Sequence, residues 1–386
     1  MPFRRAIRRH PRRGQPSGWS VLEMVPWNPG GFFTGEGDDP GGFLDYHTGC
    51  IYPQDAASQV PVLLLEPQPG EIIVDACAAP GSKSTQIGLA LGDDGLLVCC
   101  DAAPPRRRVL AENCARQGIA CAVVTPMSLE HLAAKHPHCA DAVLVDAPCS
   151  GHEERSAKQV ARMALRQGGI LHLAATLVRP GGRLVYSTCT AYREENEGVI
   201  TEFLIKHPGW RVTPRTLLGC DADLDNLGGL RLSPERQGSE PFFACRLQAP
   251  GDEPVNNSLT GLTPELNDIL SRWLPASPLS AWRRGNAWFA ASRQAACCAL
   301  PSEARGILLG HGDDMKLEPW AAQALIERGA PAIEISHENA CRLWAGEASA
   351  EDETTSLMKT NRGAPLGLVD KGRLLLPSRL RRAGLR

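Results

Sequence analysis

The stretch "EIIVDACAAPGSK", residues 71–83, decides the fold. Its apolar run predicts a buried strand, the small residues around Pro80 predict a tight turn, and a helix is expected from about Lys83. A second strand, "LLVCCD" (residues 96–101), and a helix that begins near Pro104 repeat the pattern. Strands that alternate with helices predict a parallel sheet covered by helices on both faces. In such sheets, ligands bind at the carboxyl ends of the strands.

The same alternation continues as far as about residue 247. Further strands and helices are predicted at "IACAVV" (119–124), "ADAVLVDAPCSG" (140–151), a helix over about 156–178, "RLVYSTCT" (183–190), "REENEGVITEFLIKH" (193–207), "LRLSP" (230–234) and "PFFACRL" (241–247). Residues 248–258, rich in Pro, Gly and Asn, predict a linker. Beyond it, shorter patterns indicate a small α+β domain or two fused small modules.

Composition and charge narrow the class of protein. The 386 residues are 43% hydrophobic and 22% charged, as in globular proteins, and no apolar run is long enough to span a membrane. Fourteen cysteines without a CxxC pair indicate reduced thiols, a cytosol-like compartment and no metal site. The net charge of −2 divides into +6 for residues 1–22, +7 for residues 356–386 and −15 between them. Such basic ends are either solvated tails or surfaces that contact a phosphate backbone.

The turn "CAAPGSK" (residues 77–83) lacks the glycines of a Walker A loop and of the GxGxxG dinucleotide motif. An ordinary strand-to-helix turn remains an alternative to a ligand site. Asp101, however, closes the second strand about twenty residues later, where an acid accepts hydrogen bonds from ribose hydroxyls. A ribose site without a pyrophosphate loop predicts S-adenosylmethionine as the cofactor.

Two cysteines differ from the others, which read as small buried hydrophobic residues. Cys149, in "DAPCSG" (146–151), and Cys189, in "YSTCT" (186–190), each follow a buried strand directly. Backbone amides and a helix dipole at such positions favour the thiolate. These two thiols are therefore the candidate nucleophiles.

Two thiols beside a methyl donor have a use in cytosine chemistry. Carbon 5 of cytosine becomes nucleophilic when a thiolate adds to carbon 6, and a second group must then help the thiolate to leave. Asp146 is placed to bind the N3 edge of the ring. A cysteine hydrolase or acyltransferase is the alternative, and it would need a base such as His152, the histidine near Cys149 in sequence.

At these residues the chain resembles the RNA cytosine-C5 methyltransferase family, the RsmB/NSUN superfamily, and in particular its RsmF-type branch. The matching stretches are "YPQDAAS" (52–58), "DACAAPGSK" (75–83), "DAPCSG" (146–151), "YSTCT" with "EENE" (186–197) and "GSEPFFACRL" (238–247). They occur in family order over about 200 residues. Each cysteine motif alone is a weak signal, whereas the joint pattern is specific.

The resemblance implies an α/β fold, the class I S-adenosylmethionine-dependent methyltransferase fold. This is Rossmann-like, with a mostly parallel seven-stranded sheet, and is joined to a smaller C-terminal α+β, PUA-like RNA-binding domain. It implies a basic arm and remnant of an N-terminal RNA-binding module over residues 1–50, a catalytic domain over 51–250 and the RNA-binding domain over 259–386. The segment "NRGAPLGLVDKGRLLLPSRLRR" (361–382) looks like the RNA-binding extension of the branch.

The resemblance also assigns roles to single residues. Cys189 is expected to be the nucleophile, Cys149 to assist release, and Asp146 to act with them. The expected cofactor contacts are Cys77, Ala78, Ala79, Pro80, Gly81, Ser82, Lys83, Asp101, Ser128 and Asp146.

The implied substrate is RNA, either 16S ribosomal RNA or a small-subunit particle, with tRNA as the second choice. The chain is expected to be a monomeric cytoplasmic enzyme. Three features depart from the family pattern: Ser128 stands where an Asp is usual, the segment after "DAPCSG" is short, and the N-terminal module is little more than a basic arm. They motivate the alternative of an RNA-binding or ribosome assembly factor with little turnover.

Overall fold

The computed structural model describes residues 4–14, 16, 19, 22–220, 226–252, 257–259, 266–267, 270, 274, 277–284, 286–311, 316–345, 356–360, 364–370 and 373–375. In this part of the chain, no helix has both the length and the apolar character needed to cross a bilayer.

A large mixed sheet forms the centre of the molecule. Its strands are β5 (Ile72–Asp75), β6 (Leu96–Cys100), β7 (Ala122–Thr125), β8 (Ala140–Asp146), β9 (Val178–Thr188), β10 (Arg211–Val212), β11 (Leu230–Leu232), β12 (Phe242–Gln248) and β16 (Ala304–Arg305). The order is β10-β12-β9-β8-β5-β6-β7-β16, and β11 pairs with β12. The five strands from β9 to β7 are parallel, which confirms the predicted parallel sheet.

Helices cover both faces of this sheet. They are α2 (Val60–Leu65), α3 (Ser82–Leu91), α4 (Pro104–Arg116), α5 (Leu129–Lys135), α6 (Ala157–Leu177), α7 (Glu197–Lys206) and α8 (Pro234–Gln237). Because alternate side chains of a strand point to opposite faces, Val74 packs into one core with α5, α6 and α7, and Ile73 into the other with α2, α3 and α4. Both faces are therefore buried, which explains the continuous apolar runs of the strands.

The prediction of seven strands was wrong in number, since nine strands join the sheet in the described residues. The short strands β10 and β11 extend one edge. At the other edge, β16 pairs antiparallel with β7, although it lies about 180 residues further along the chain. The C-terminal part of the chain is therefore joined to the central sheet by backbone hydrogen bonds.

The rest of the C-terminal part contains short strands and helices. One sheet has the order β13-β14-β15-β17-β18 and another the order β19-β20-β21-β22. The elements are β13 (Leu266–Asn267), β14 (Ser280–Arg284), β15 (Ala287–Ala291), α9 (Arg293–Ala296), β17 (Ile307–His311), β18 (Lys316–Leu317), α10 (Pro319–Glu327), β19 (Ile333–Ile335), α11 (His337–Ala345), β20 (Ser356–Thr360), β21 (Pro365–Asp370) and β22 (Arg373–Leu374).

The N-terminal segment contains a folded four-stranded sheet. Its strands have the order β2-β3-β1-β4, and the elements are β1 (Ala6–Arg9), β2 (Leu22–Val25), β3 (Asn28–Thr34), α1 (Leu44–His47) and β4 (Ile51–Pro53). Arg8 is buried and donates to Gln54 at 2.8 Å and to Thr85 at 2.7 Å. A buried guanidinium needs such partners, and these come from distant parts of the chain.

A buried ionic network connects the N-terminal sheet to the other parts of the molecule. The carboxylate of Glu327, at the end of α10, lies 2.6 Å from Arg13, 3.0 Å from Arg12 and 2.7 Å from Arg328. Arg328 also reaches Asp93, which follows α3, at 2.5 Å. The network therefore joins the N-terminal sheet, the central layer and the C-terminal part at one point.

Candidate active site

The residues singled out from the sequence lie at the carboxyl ends of neighbouring strands. Asp75, Asp146 and Thr188 end β5, β8 and β9, and Asp101 directly follows β6. These four strands are adjacent in the order β9-β8-β5-β6. The topology thus brings together loops that are up to about 115 residues apart in sequence.

The two cysteines at the ends of β8 and β9 face each other. The sulfur atoms of Cys149 and Cys189 are 3.0 Å apart, and both residues are half-buried. The hydrogen bond between them lowers the pKa of Cys149 to about 7, with help from the backbone amide of Gly151. The same bond raises the pKa of Cys189, because its proton is held by the neighbouring sulfur. When the pair loses its first proton, Cys149 is therefore the thiolate and Cys189 keeps the remaining proton.

A lysine and an aspartate form the polar side of this site. Lys83 Nζ lies 2.7 Å from Asp146 Oδ2 and 2.9 Å from Ser58 Oγ, and Ser187 donates to Asp146 Oδ1 at 2.8 Å. The charges of Asp146 and Lys83 both act on the Cys189 thiol. Lys83, expected among the cofactor contacts, is therefore also next to the reactive sulfurs.

The turn after β5 has the close approach that its small residues predicted. Gly81 has φ of 109°, a backbone conformation that favours glycine, and a Cβ there would lie 3.0 Å from Leu110 Cδ1. Ala78 donates its amide hydrogen to Cys100 O at 2.8 Å, which holds the turn against β6. The turn therefore presents a backbone surface, because its side chains are too small to cover it.

Three carboxylates surround this turn. Burial raises the pKa of Cys77, and the negative charges of Asp75, Asp146 and Asp101 raise it further. Burial also raises the pKa of Asp75 to about 7. S-adenosylmethionine carries a sulfonium and an ammonium group, so acidic residues around a small-residue turn fit this cofactor. The residues that would hold it are the 77–83 turn, Asp101 and Asp146.

Ser128, also expected among the cofactor contacts, follows β7 at the same edge of the sheet. Its hydroxyl caps α5 by accepting from the amide of His131 at 3.3 Å, and it lies 3.0 Å from the Nδ1 atom of that residue. This hydroxyl thus already has partners on its own helix.

His152, the base that a cysteine hydrolase would need, does not contact either thiol. Its Nε2 atom lies 2.9 Å from Glu240 Oε2. In the described part of the chain, the side-chain partner of each thiol is the other thiol. The geometry therefore does not support the hydrolase alternative.

Three contributors were missed by sequence reasoning. Ser58 contacts Lys83, Glu195 accepts the amide hydrogen of Ser150, and Asn196 contacts Thr188. They lie in "YPQDAAS" and "EENE", which were matched as stretches without any residue being assigned a role. Their polar side chains in these stretches were the signal that could have identified them.

The comparisons with known proteins agree with this arrangement. The profile of the family described as 16S rRNA methyltransferase RsmB/F matches residues 62–248. Ribosomal RNA small subunit methyltransferase F of Klebsiella pneumoniae is 31% identical over 92% of this chain and 83% of its own length. The protein of the same name from Shewanella amazonensis is 33% identical over 61% of this chain, and the match spans 54% of that relative.

Two further similarities come from archaeal proteins. The tRNA (cytosine(49)-C(5))-methyltransferase of Pyrococcus abyssi is 36% identical over 59% of this chain and 80% of its length. The crystal structure of a methyltransferase homologue from Pyrococcus horikoshii superposes with a TM-score of 0.57 and 28% identity, covering 64% of this chain and 87% of that one. The predicted methyltransferase fold is thereby confirmed.

Proposed function

Because the chain belongs to the RsmB/F family of 16S rRNA methyltransferases, we propose that it methylates carbon 5 of a cytosine in RNA, with S-adenosylmethionine as the methyl donor. The observation that carries the proposal is the pair of sulfur atoms 3.0 Å apart beside Lys83 and Asp146. No ordinary structural role requires two reduced thiols next to a lysine–aspartate pair at the ligand-binding edge of the sheet.

In this mechanism, Cys189 is the nucleophile and Cys149 moves its proton. As Cys189 adds to carbon 6, its proton passes to the Cys149 sulfur, and carbon 5 gains enamine character. S-adenosylmethionine supplies the electrophilic methyl group. Carbon 5 then loses its proton to solvent, the bond from Cys189 to carbon 6 breaks, and Cys149 returns the proton to the departing sulfur. One thiol therefore acts as base for addition and as acid for release.

Lys83 and Asp146 suit the polar edge of the target base. Cytosine presents a carbonyl oxygen, a ring nitrogen and an exocyclic amine in a row. An ammonium group donates to the carbonyl oxygen, and a carboxylate accepts from the amine or from a protonated ring nitrogen. Negative charge builds up on the carbonyl oxygen and the ring nitrogen as the thiolate adds, so the ammonium group of Lys83 stabilises the adduct more than the free base.

The surface beside the thiols supports an RNA partner. Helix α6 begins seven residues after Ser150, and its 21 residues include no acid although the middle of the chain carries −15. Lys158, Arg162 and Arg166 are exposed at intervals of four residues, which places them along one side of the helix. A row of exposed basic groups leading away from a reactive site suits a phosphate backbone.

We further propose that the substrate is ribosomal RNA, by similarity to the Klebsiella pneumoniae relative. The tRNA methyltransferase of Pyrococcus abyssi makes tRNA the second candidate. The target base has to leave its stack to reach half-buried sulfurs, so an unpaired cytosine or one in an incompletely assembled small-subunit particle is favoured over a regular duplex. A monomeric cytoplasmic enzyme is the form proposed.

The flanking parts of the chain are proposed to contact RNA around the site. Residues 1–50 and 259–386 are assigned this role, with the second region as a PUA-like domain and residues 51–250 as the catalytic domain. Residues 361–363, 371–372 and 376–382 of the basic C-terminal segment lie outside the described residues.

The proposal is tested by incubating the protein with labelled S-adenosylmethionine and with ribosomal RNA or small-subunit particles from cells that lack the gene. We expect label at carbon 5 of a cytosine, none with Cys189→Ala, and an accumulated covalent RNA adduct with Cys149→Ala. Bisulfite sequencing identifies the position. Equal labelling by Cys189→Ala would refute the nucleophile assignment, and failure to bind the cofactor in calorimetry would favour the assembly-factor alternative.

A further inference from the structure

Both flanks of Cys149 are held by one buried carboxylate. Glu195 is inaccessible to solvent, and its Oε2 atom accepts from the amide of Ser150 at 3.0 Å and from Gln167 Nε2 at 2.7 Å. Gln167 Nε2 also donates to Pro148 O at 2.9 Å. The residues immediately before and after Cys149 are thus tied to Glu195, one directly and one through Gln167.

Both flanks of Cys189 are held by Asn196, the residue that follows Glu195 in the chain. Asn196 is equally buried, and its Oδ1 atom accepts from Thr188 Oγ1 at 2.5 Å. Its Nδ2 atom donates to Thr190 O at 2.9 Å. The side chain therefore uses its acceptor on the residue before Cys189 and its donor on the residue after it.

The two sets of contacts are connected through a single peptide bond. Glu195 and Asn196 are consecutive, and the carbonyl oxygen of Glu195 accepts from Tyr186 Oη at 2.6 Å, which anchors the pair to β9. Loops that end two different strands are ordinarily positioned independently of each other. Here the Glu195–Asn196 dipeptide forms hydrogen bonds to both loops next to their cysteines. A displacement of one loop relative to the other therefore stretches several buried hydrogen bonds.

We propose that Glu195 and Asn196 are positioning residues that fix the separation of the Cys149 and Cys189 sulfur atoms. They touch neither sulfur and act through the backbone and side chains on either side of each cysteine. The inference rests on the proposed function only where it assigns the sulfur pair a role in methyl transfer. The positioning itself is a property of the protein without substrate.

The expected consequence follows from the length of the sulfur–sulfur contact. At 3.0 Å one thiol donates to the other, and this hydrogen bond weakens as the two sulfur atoms move apart. The Cys149 thiolate would then lose its main stabilising partner, and its pKa would return towards the ordinary range of a thiol. Transfer of the proton between the sulfurs would fail for the same reason.

A direct measure of the positioning is the ease with which the two sulfurs form a disulfide. Reduced protein is equilibrated with a series of glutathione to glutathione disulfide ratios. Each glutathione disulfide takes two electrons from the thiol pair and gives two glutathione molecules, with the Cys149–Cys189 bond formed and the glutathione bond broken. Mass spectrometry of proteolytic peptides reports the fraction of Cys149 linked to Cys189, separately from the other cysteines.

Glu195→Ala is the test variant, and Glu197→Ala is its matched control. Glu197 lies in the same segment, but its carboxylate pairs with Arg231 at 2.5 Å and not with either cysteine loop. We expect an equilibrium constant for the linked pair at least about tenfold lower with Glu195→Ala and unchanged with Glu197→Ala. Glu195→Gln keeps an acceptor oxygen for Ser150 and is expected to restore most of the wild-type value.

A substitution of Asn196 provides a second test of the positioning, because it removes a hydrogen-bond donor and not an acceptor. Asn196→Asp keeps the acceptor for Thr188 and removes the donor to Thr190, so it is expected to lower the same equilibrium constant although the side chain has almost the same shape. If these buried substitutions prevent folding, native-state hydrogen exchange of the wild-type protein decides. The amide of Ser150 lies outside helices and strands, yet it should exchange slowly because it donates to a buried carboxylate.

The outcomes separate this inference from the proposed function. If folded Glu195→Ala and Asn196→Asp keep the wild-type equilibrium constant, or if the Ser150 amide exchanges like an open loop, the positioning role is refuted. If the constant falls as expected while the wild-type protein methylates no RNA, the positioning role stands and the proposed function fails. In an active enzyme, we expect Glu195→Ala to lower kcat and leave the KM for RNA within about twofold, since no group that touches RNA is removed.

Discussion

Replacing Glu327 with glutamine removes the negative charge on which three segments of the chain converge and leaves the shape of the side chain unchanged. Arg13 would lose its carboxylate partner at 2.6 Å, and its side chain is fully buried. Arg328 would also lose a carboxylate partner, at 2.7 Å, but it would keep its ion pair with Asp93 at 2.5 Å. The side chain of Arg12 is one-third exposed, so water would replace part of the interaction that it loses. The cost is therefore that of one broken buried pair, about 3–5 kcal/mol.

Native-state hydrogen exchange of the β1 segment measures this cost, because Arg12 and Arg13 lie only a few residues beyond that strand. A loss of about 3 kcal/mol or more corresponds to exchange at least about 100-fold faster. The matched control is Glu202→Gln, which breaks the exposed Lys206–Glu202 pair of 2.6 Å and should cost about 0.5 kcal/mol or less. A change below about fivefold for Glu327→Gln would refute the view that the buried network holds the N-terminal sheet in place.

Three further outcomes are expected. Methyl transfer should rise with pH through about 7, because the thiol pair must carry its negative charge, and Cys149→Ser should lose that inflection when initial rates are compared across pH. The folded state raises the pKa of Asp75 to about 7, so it binds the extra proton between about pH 4 and 7 and stability falls as pH rises through that range; urea unfolding of Asp75→Asn should lack this component. Arg162→Glu should weaken RNA binding and reduce the slope of log Kd against log salt by about 0.7 for each phosphate that is no longer neutralised, whereas Arg211→Glu, on the distant edge strand β10, should not.

The central sheet was predictable from the sequence because its signals are local. Strands buried on both faces are continuous apolar runs, and each is followed by a turn motif within a few residues. The N-terminal sheet was not predictable from local signals. Its strand β1 has the sequence AIRR, and the hydrogen-bond partners of Arg8 lie 46 and 77 residues further along the chain. Likewise, the two residues of β16 carry no pattern of their own, and their pairing with β7 depends on the tertiary fold.

The candidate site also has a part that could be predicted from the sequence and a part that could not. Cys149, Cys189 and Asp146 could be named because each stands directly at the end of a strand, and the topology of an α/β sheet brings such ends together. The distance between the sulfurs could not be predicted, because it depends on the side chains of Glu195 and Asn196, which act on loops from another element. Residues that act through the backbone of a neighbour can be matched as part of a sequence stretch, but the stretch does not show which groups they hold.

The pairing of β16 with β7 affects how the protein can be shortened. A fragment that ends near residue 250 would keep every residue of the thiol site, yet it would leave the hydrogen-bonding groups along one side of β7 open to water. Uncapped strands of this kind pair readily with other copies of themselves. A minimal catalytic fragment would therefore tend to aggregate for a reason unrelated to catalysis, and charged or proline substitutions along β7 would be the remedy.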